Sequence, residues 1–111
     1  MKYKINEVSR LALGAENTCI GLFSEDSKWD GRGNFCGWYG VELYTNATLL
    51  AYYEIDLKGG LHRQKGYKHL NEVVLNKKFE EIIIGSCYWE HILEAENDEE
   101  AIKKFFAEDF L

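Results

Sequence analysis

The sequence predicts an α+β fold: an antiparallel β-sheet of about four to six strands with a C-terminal helix and a short second helix packed on one face. Three observations lead there. Runs of β-branched and aromatic residues fill much of residues 2–57 and are punctuated by Gly, Asn and Ser. A capping box followed by an apolar stripe of helical spacing stands at the C-terminal end, after Asn97. The strand-like segments precede that helix instead of alternating with helices, which favours antiparallel pairing with a helix laid on one face.

Length and composition agree with a single domain spanning 1–111. The chain has 111 residues, 46% of them hydrophobic and 29% charged, which excludes disordered and fibrous classes. It carries no apolar run of about 18 residues, so no transmembrane helix is expected. The start Met-Lys-Tyr-Lys-Ile-Asn-Glu lacks the apolar stretch of a signal peptide, and the expectation is a cytoplasmic protein. Cys19, Cys36 and Cys87 are an odd number without a close pair, in keeping with a reducing compartment and small buried apolar roles.

Taken in order, residues 2–12 read as a strand, with an irregularity near Glu7 and Val8 where the alternation of Tyr3, Ile5 and Leu11 slips. Residues 14–17 form a turn, and residues 18–24 a second strand. Its centre, Cys19-Ile20-Gly21-Leu22-Phe23, is apolar on both faces and therefore central. Residues 24–37 lack periodicity and read as a long loop rich in Gly. Residues 38–45 and 48–57 read as the two strands of a hairpin turning at Asn46-Ala47. Residues 58–69 are polar and Gly-rich. The spacing Tyr67, Leu70, Val73/Val74, Lys77 predicts a short helix, although β-branched residues oppose it. Strand structure resumes at Ile82-Ile83-Ile84 and, after an interruption at Gly85-Ser86, over residues 87–95. The final helix takes Asn97 as N-cap with Glu100 completing the box. Asp98, Glu99 and Glu100 sit at its positive end, and Ala101, Ile102, Phe105, Phe106 and Phe110 form its buried stripe. Glu99–Lys103 and Glu100–Lys104 are favourable pairs, and the last turn should fray.

Charge is distributed unevenly. The net −6 resolves into −3 over residues 1–57, +5 over residues 58–79 and −8 over residues 80–111. Such asymmetry steers partners without dictating fold.

Several constellations could carry chemistry. Residues 28–40 interleave aromatics and Gly around one Arg and one Asp. Trp29, Phe35, Trp38 and Tyr39 offer stiff contact area, and Arg32 can fork onto a carboxylate or phosphate. The acidic face, with Glu94, Glu96 and Glu99, suits a basic groove on another protein. Lys58, Arg63, Lys65 and Lys68 are candidate phosphate-binding groups. Their order matches no phosphate loop, and the acidic balance of the chain disfavours nucleic acid. Cys87 and His91 stand four apart, but no paired ligand spacing supports a metal site. No signature marks Cys36 or Cys87 as a nucleophile, and whether any Cys meets His62, His69 or His91 in space is not readable from spacing. Glu54 and Asp56 share a strand face, best explained by solvation at a sheet edge. No catalytic residue, metal ligand or cofactor is therefore assigned.

Residues 92–102, Ile-Leu-Glu-Ala-Glu-Asn-Asp-Glu-Glu-Ala-Ile, resemble the strand-to-helix unit of many small α+β proteins of phages and mobile elements. That resemblance implies a small acidic protein that acts by binding and blocking a host protein, and it carries no catalytic residue with it. The expectation is a non-enzymatic interaction module, an inhibitor or accessory factor. It would meet a host or cognate protein, one with a basic surface, through the aromatic loop and the acidic C-terminal face. The alternative is a binder of a nucleotide or phosphorylated metabolite, or a small enzyme, using the Gly-rich loop and residues 58–68. A third expectation is a homo-oligomer formed by exposed strand edges.

Overall fold

A computed structural model describes residues 1–29, 34–36, 39–55, 69–84 and 91–107. The elements are β1 (Lys2–Val8), α1 (Arg10–Leu13), β2 (Cys19–Phe23), β3 (Lys28–Trp29), β4 (Asn34–Cys36), β5 (Tyr39–Ile55), β6 (His69–Ile84), β7 (His91–Glu94) and α2 (Asp98–Ala107). The architecture is α+β: an antiparallel sheet, a C-terminal helix and one short helix. The sheet follows the order β2-β1-β6-β5-β3, with β4 added to β5 and β7 to β1.

Because β2 also pairs with β5, the order returns on itself through β1, β2, β5 and β6. Val8 opposite Ile84 is the closing contact. Val8, Cys19, Phe23, Tyr44, Leu49, Ile82 and Ile84 fill the inside of that circuit. The outer face of β1, β2 and β5 carries Tyr3, Ile5, Ile20, Leu22, Leu50 and Tyr53, on which Ala101 and Phe105 of α2 pack. Ile102 and Phe106 flank them, so the stripe expected on the last helix is the face that packs. Phe110 and the last turn lie outside the described residues.

Four readings of the chain are corrected. The first strand stops at Val8, and α1 follows, capped by Gly14 in the left-handed region at φ 64°. Part of the expected long loop is extended: β3 pairs with β5 at Lys28↔Thr45 and Trp29↔Tyr44, and β4 pairs at Phe35↔Gly40. The expected hairpin at Asn46-Ala47 is one continuous strand. Asn46 alone takes positive φ (48°), while Ala47 is buried opposite Phe79, so the chain bends without reversing.

The predicted helix near residues 67–77 is the first half of β6, and the reason is specific. Between Tyr52↔Val73 and Glu54↔Leu70 the register gains a residue on β6, and again between Leu49↔Lys77 and Ala51↔Val74. Asn71 (φ 49°) and Asn76 (φ 45°) are the extra residues of two β-bulges. The first bulge stretches the Leu70-to-Val73 step to three residues, a spacing that imitates a helix. The short helix of the fold is instead α1.

Candidate functional site

The corner where β7 meets α2 gathers the acidic residues singled out above. Local sequence builds it. Asn97 caps α2: the Glu100 backbone N–H donates to Asn97 Oδ1 at 2.8 Å, and the Ala101 N–H donates to the Asn97 carbonyl at 3.0 Å. Two ties hold the corner to β1. Tyr3 Oη donates to Asp98 Oδ1 at 2.9 Å, and the Ala95 N–H donates to the Met1 carbonyl at 3.1 Å. Lys104 Nζ donates to the Glu94 carbonyl at 3.1 Å and sits 2.9 Å from Glu100 Oε1. Ala95, Ala101 and Phe105 are buried beneath.

Above this anchored base, Glu94, Glu96 and Glu99 are exposed. Two hollows meet at Glu100. One of about 420 Å³ is lined by Met1, Lys2, Glu94, Glu96, Glu100 and Lys104, and the other of about 260 Å³ by Asn97, Glu99, Glu100 and Lys103. The hydrogen bond from Lys104 holds the Glu100 carboxyl below its ordinary range, so it stays ionised. Tyr3 responds in the opposite sense: burial, then its bond to Asp98, pushes the phenol up to about 12. It therefore remains a donor to the carboxylate across the physiological range.

The aromatic loop lies elsewhere. The backbone puts Trp29 in β3, Phe35 in β4 and Tyr39 at the start of β5, all along one stretch of β5 pairing. Arg32 and Trp38 lie outside the described residues, as do Lys58, Arg63, Lys65 and Lys68. Tyr44, opposite Trp29, belongs to the inner core, whereas the acidic corner rests on the outer one. The backbone thus sets Trp29, Phe35 and Tyr39 along β5 pairing and Glu94, Glu96 and Glu99 on the β7–α2 corner.

Sequence reasoning placed Glu54 at a solvated edge, and the structure corrects this. Strand β5 is paired on both sides there, with Cys19 on β2 and Leu70 on β6, so Glu54 is buried. Asn17 Nδ2 donates to its Oε2 at 2.7 Å. Asp56 lies outside the described residues. Cys19 is buried beside Glu54, and its thiol points to the Asn17 carbonyl at 3.4 Å. Burial, reinforced by the Glu54 charge, pushes the thiol up to about 11, which suits a structural residue and not a nucleophile. Cys87 lies outside the described residues. His69 stacks on Tyr53 at 3.8 Å and has Nδ1 3.6 Å from Glu72 Oε1.

A further polar knot fixes the turn after β2. Ser24 Oγ bonds the Asp26 carboxylate and lies 3.1 Å from Ser27 Oγ, which accepts from the Thr48 N–H at 3.1 Å. Lys4 Nζ donates to the Ser27 carbonyl at 3.1 Å. These bonds satisfy buried backbone and tie the turn to β1 and β5.

Among the described residues no group of three or more His, Cys, Asp and Glu is placed to hold a metal ion, and no helix is long and apolar enough to cross a membrane. No family model, no curated protein and no solved structure matches the chain.

Proposed function

We propose that this protein is a non-enzymatic interaction module, an inhibitor or accessory factor that sets its acidic β7–α2 corner against a basic surface of a partner protein. The observation that carries the reading is the exposure of Glu94, Glu96 and Glu99 on a corner whose underside is capped, hydrogen-bonded and packed. Carboxylates on such a base are held in place before contact, so little ordering entropy is lost on docking. Their charge accelerates encounter more than it deepens affinity. The aromatic residues Trp29, Phe35 and Tyr39, with Arg32 and Trp38 from the same stretch, supply anchors in this reading. A cytoplasmic protein that blocks a host protein fits the same chemistry.

The test is affinity capture from host lysate, followed by surface plasmon resonance with the captured protein. The variant Glu94→Gln/Glu96→Gln/Glu99→Gln should slow association at low salt while its melting temperature stays near the parent's. Association that is unchanged in the variant and insensitive to salt overturns the reading. Changing Trp29, Arg32 and Trp38 to Ala should accelerate dissociation instead.

A further inference from the structure

The strand β6 has one edge paired along its length with β5, while its other edge meets β1 only at Ile84, among the described residues. The Ser9 N–H takes the Ile83 carbonyl at 3.0 Å, which marks where that outer edge becomes occupied. From Lys77 to Ile84 the register with β5 is constant, so this part of the strand is free of the bulges that precede it. An open edge of this kind is a template for another strand unless its side chains forbid it.

The side chains here do not forbid it. The tract reads Lys77-Lys78-Phe79-Glu80-Glu81, and both lysines and both glutamates are exposed. Among the described residues, Lys78, Glu80 and Glu81 have no ion-pair partner, and Lys77 has only the Phe79 ring, 5.0 Å from its Nζ. Charges of one sign along an edge repel a second copy. This edge carries opposite signs in mirror order about Phe79. Antiparallel pairing of two such tracts, centred on Phe79, sets Lys77 opposite Glu81 and Lys78 opposite Glu80, and each pair occurs again through the two-fold axis. Opposite charges directly across an antiparallel ladder attract, and a slip of two residues would set Lys78 against Lys78 or Glu80 against Glu80.

We propose that the outer edge of β6, over residues 77–81, pairs antiparallel with the same edge of a second copy of this chain, forming a symmetric dimer with its axis at Phe79. The tract is complementary to itself, as a two-fold interface requires. A hollow of about 720 Å³, lined by Thr45, Asn46, Lys78, Phe79, Glu80 and Glu81, lies on the β5–β6 side of the tract. The proposal is independent of the acidic corner, which lies on β7 and α2.

The experiment is sedimentation equilibrium on the full chain across a concentration series. The parent protein should approach twice the chain mass. Glu80→Lys/Glu81→Lys and Lys77→Glu/Lys78→Glu should each fall to the chain mass, with circular dichroism spectra unchanged. Mixed in equal amounts, the two variants should recover the double mass, because each then meets its opposite. A monomeric parent, or charge-reversed variants that remain dimeric, overturns the proposal. So does a mixture of two folded variants that stays monomeric.

Discussion

Strands β2 and β6 are opposites within one sheet. All five residues of β2 are buried, none is charged, and both of its edges are paired. Strand β6 is more than three times as long, buries only Ile82 and Ile84, and is paired along one edge. Apolar content along a strand therefore reports how many neighbours enclose it. A strand closed on both faces and both edges has no position where a charge could meet water. A strand at an edge has many, and its bulges twist it away from flat pairing.

A graded series of measurements can break or sharpen that contrast. The largest effect belongs to Leu22, fully buried against the helix-covered core. Leu22→Ala should cost about 3 kcal/mol in urea unfolding, from lost burial and the cavity left behind. Gly21 comes next. A Cβ there would overlap a Val8 methyl and stand 2.7 Å from Leu49 Cδ1, and both side chains are buried inside the circuit. Gly21→Ala should therefore cost about 2 kcal/mol through overpacking.

Alkali probes β2 and its neighbour β1 by another route. The folded state raises the Cys19 thiol to about 11 from an ordinary 9.0, and the Tyr3 phenol to about 12 from 10.0. Both groups are favoured neutral in the fold, so their contribution is complete below pH 9 and is lost as pH rises through 11 and 12. The urea midpoint should fall across that window, and Cys19→Ala should flatten its lower part. Peptide mapping after iodoacetamide should find Cys19 unmodified in native protein at neutral pH.

The smallest effects belong to β6. Asn76→Ala should cost about 1 kcal/mol, because alanine tolerates φ 45° poorly, and Asn76→Gly should restore the midpoint. Val74, 60% exposed, should change stability by less than about 0.5 kcal/mol when replaced by Ala. A cost from Val74→Ala comparable to that of Leu22→Ala would show that the edge of β6 is covered in solution.

The same contrast explains what could be read from residues alone. The run from Cys19 to Phe23 announced a central strand because five apolar neighbours in sequence leave no solvated face. Helix α2 announced itself because Asn97, Glu100 and the apolar stripe act within a few residues of each other. The acidic corner was legible for the same reason: Glu94, Glu96 and Glu99 flank a local cap. Strand β6 was not, because its bulges replace the two-residue period with steps of three. Glu54 was misread because its burial depends on Cys19 and Leu70, distant in sequence and adjacent only after pairing.

Local physics, then, settled the central strand, the capped helix and the surplus of negative charge around it, since each arises from contacts within one or two turns of chain. Folding in three dimensions settled the closure of β1, β2, β5 and β6, the continuity of β5 through Asn46, and the hydrogen bond from exposed Asn17 to buried Glu54. It also left one side of β6 open from Asn71 to Ile82 among the described residues. Those features depend on which edges find each other across long stretches of chain, and no short-range pattern encodes that choice.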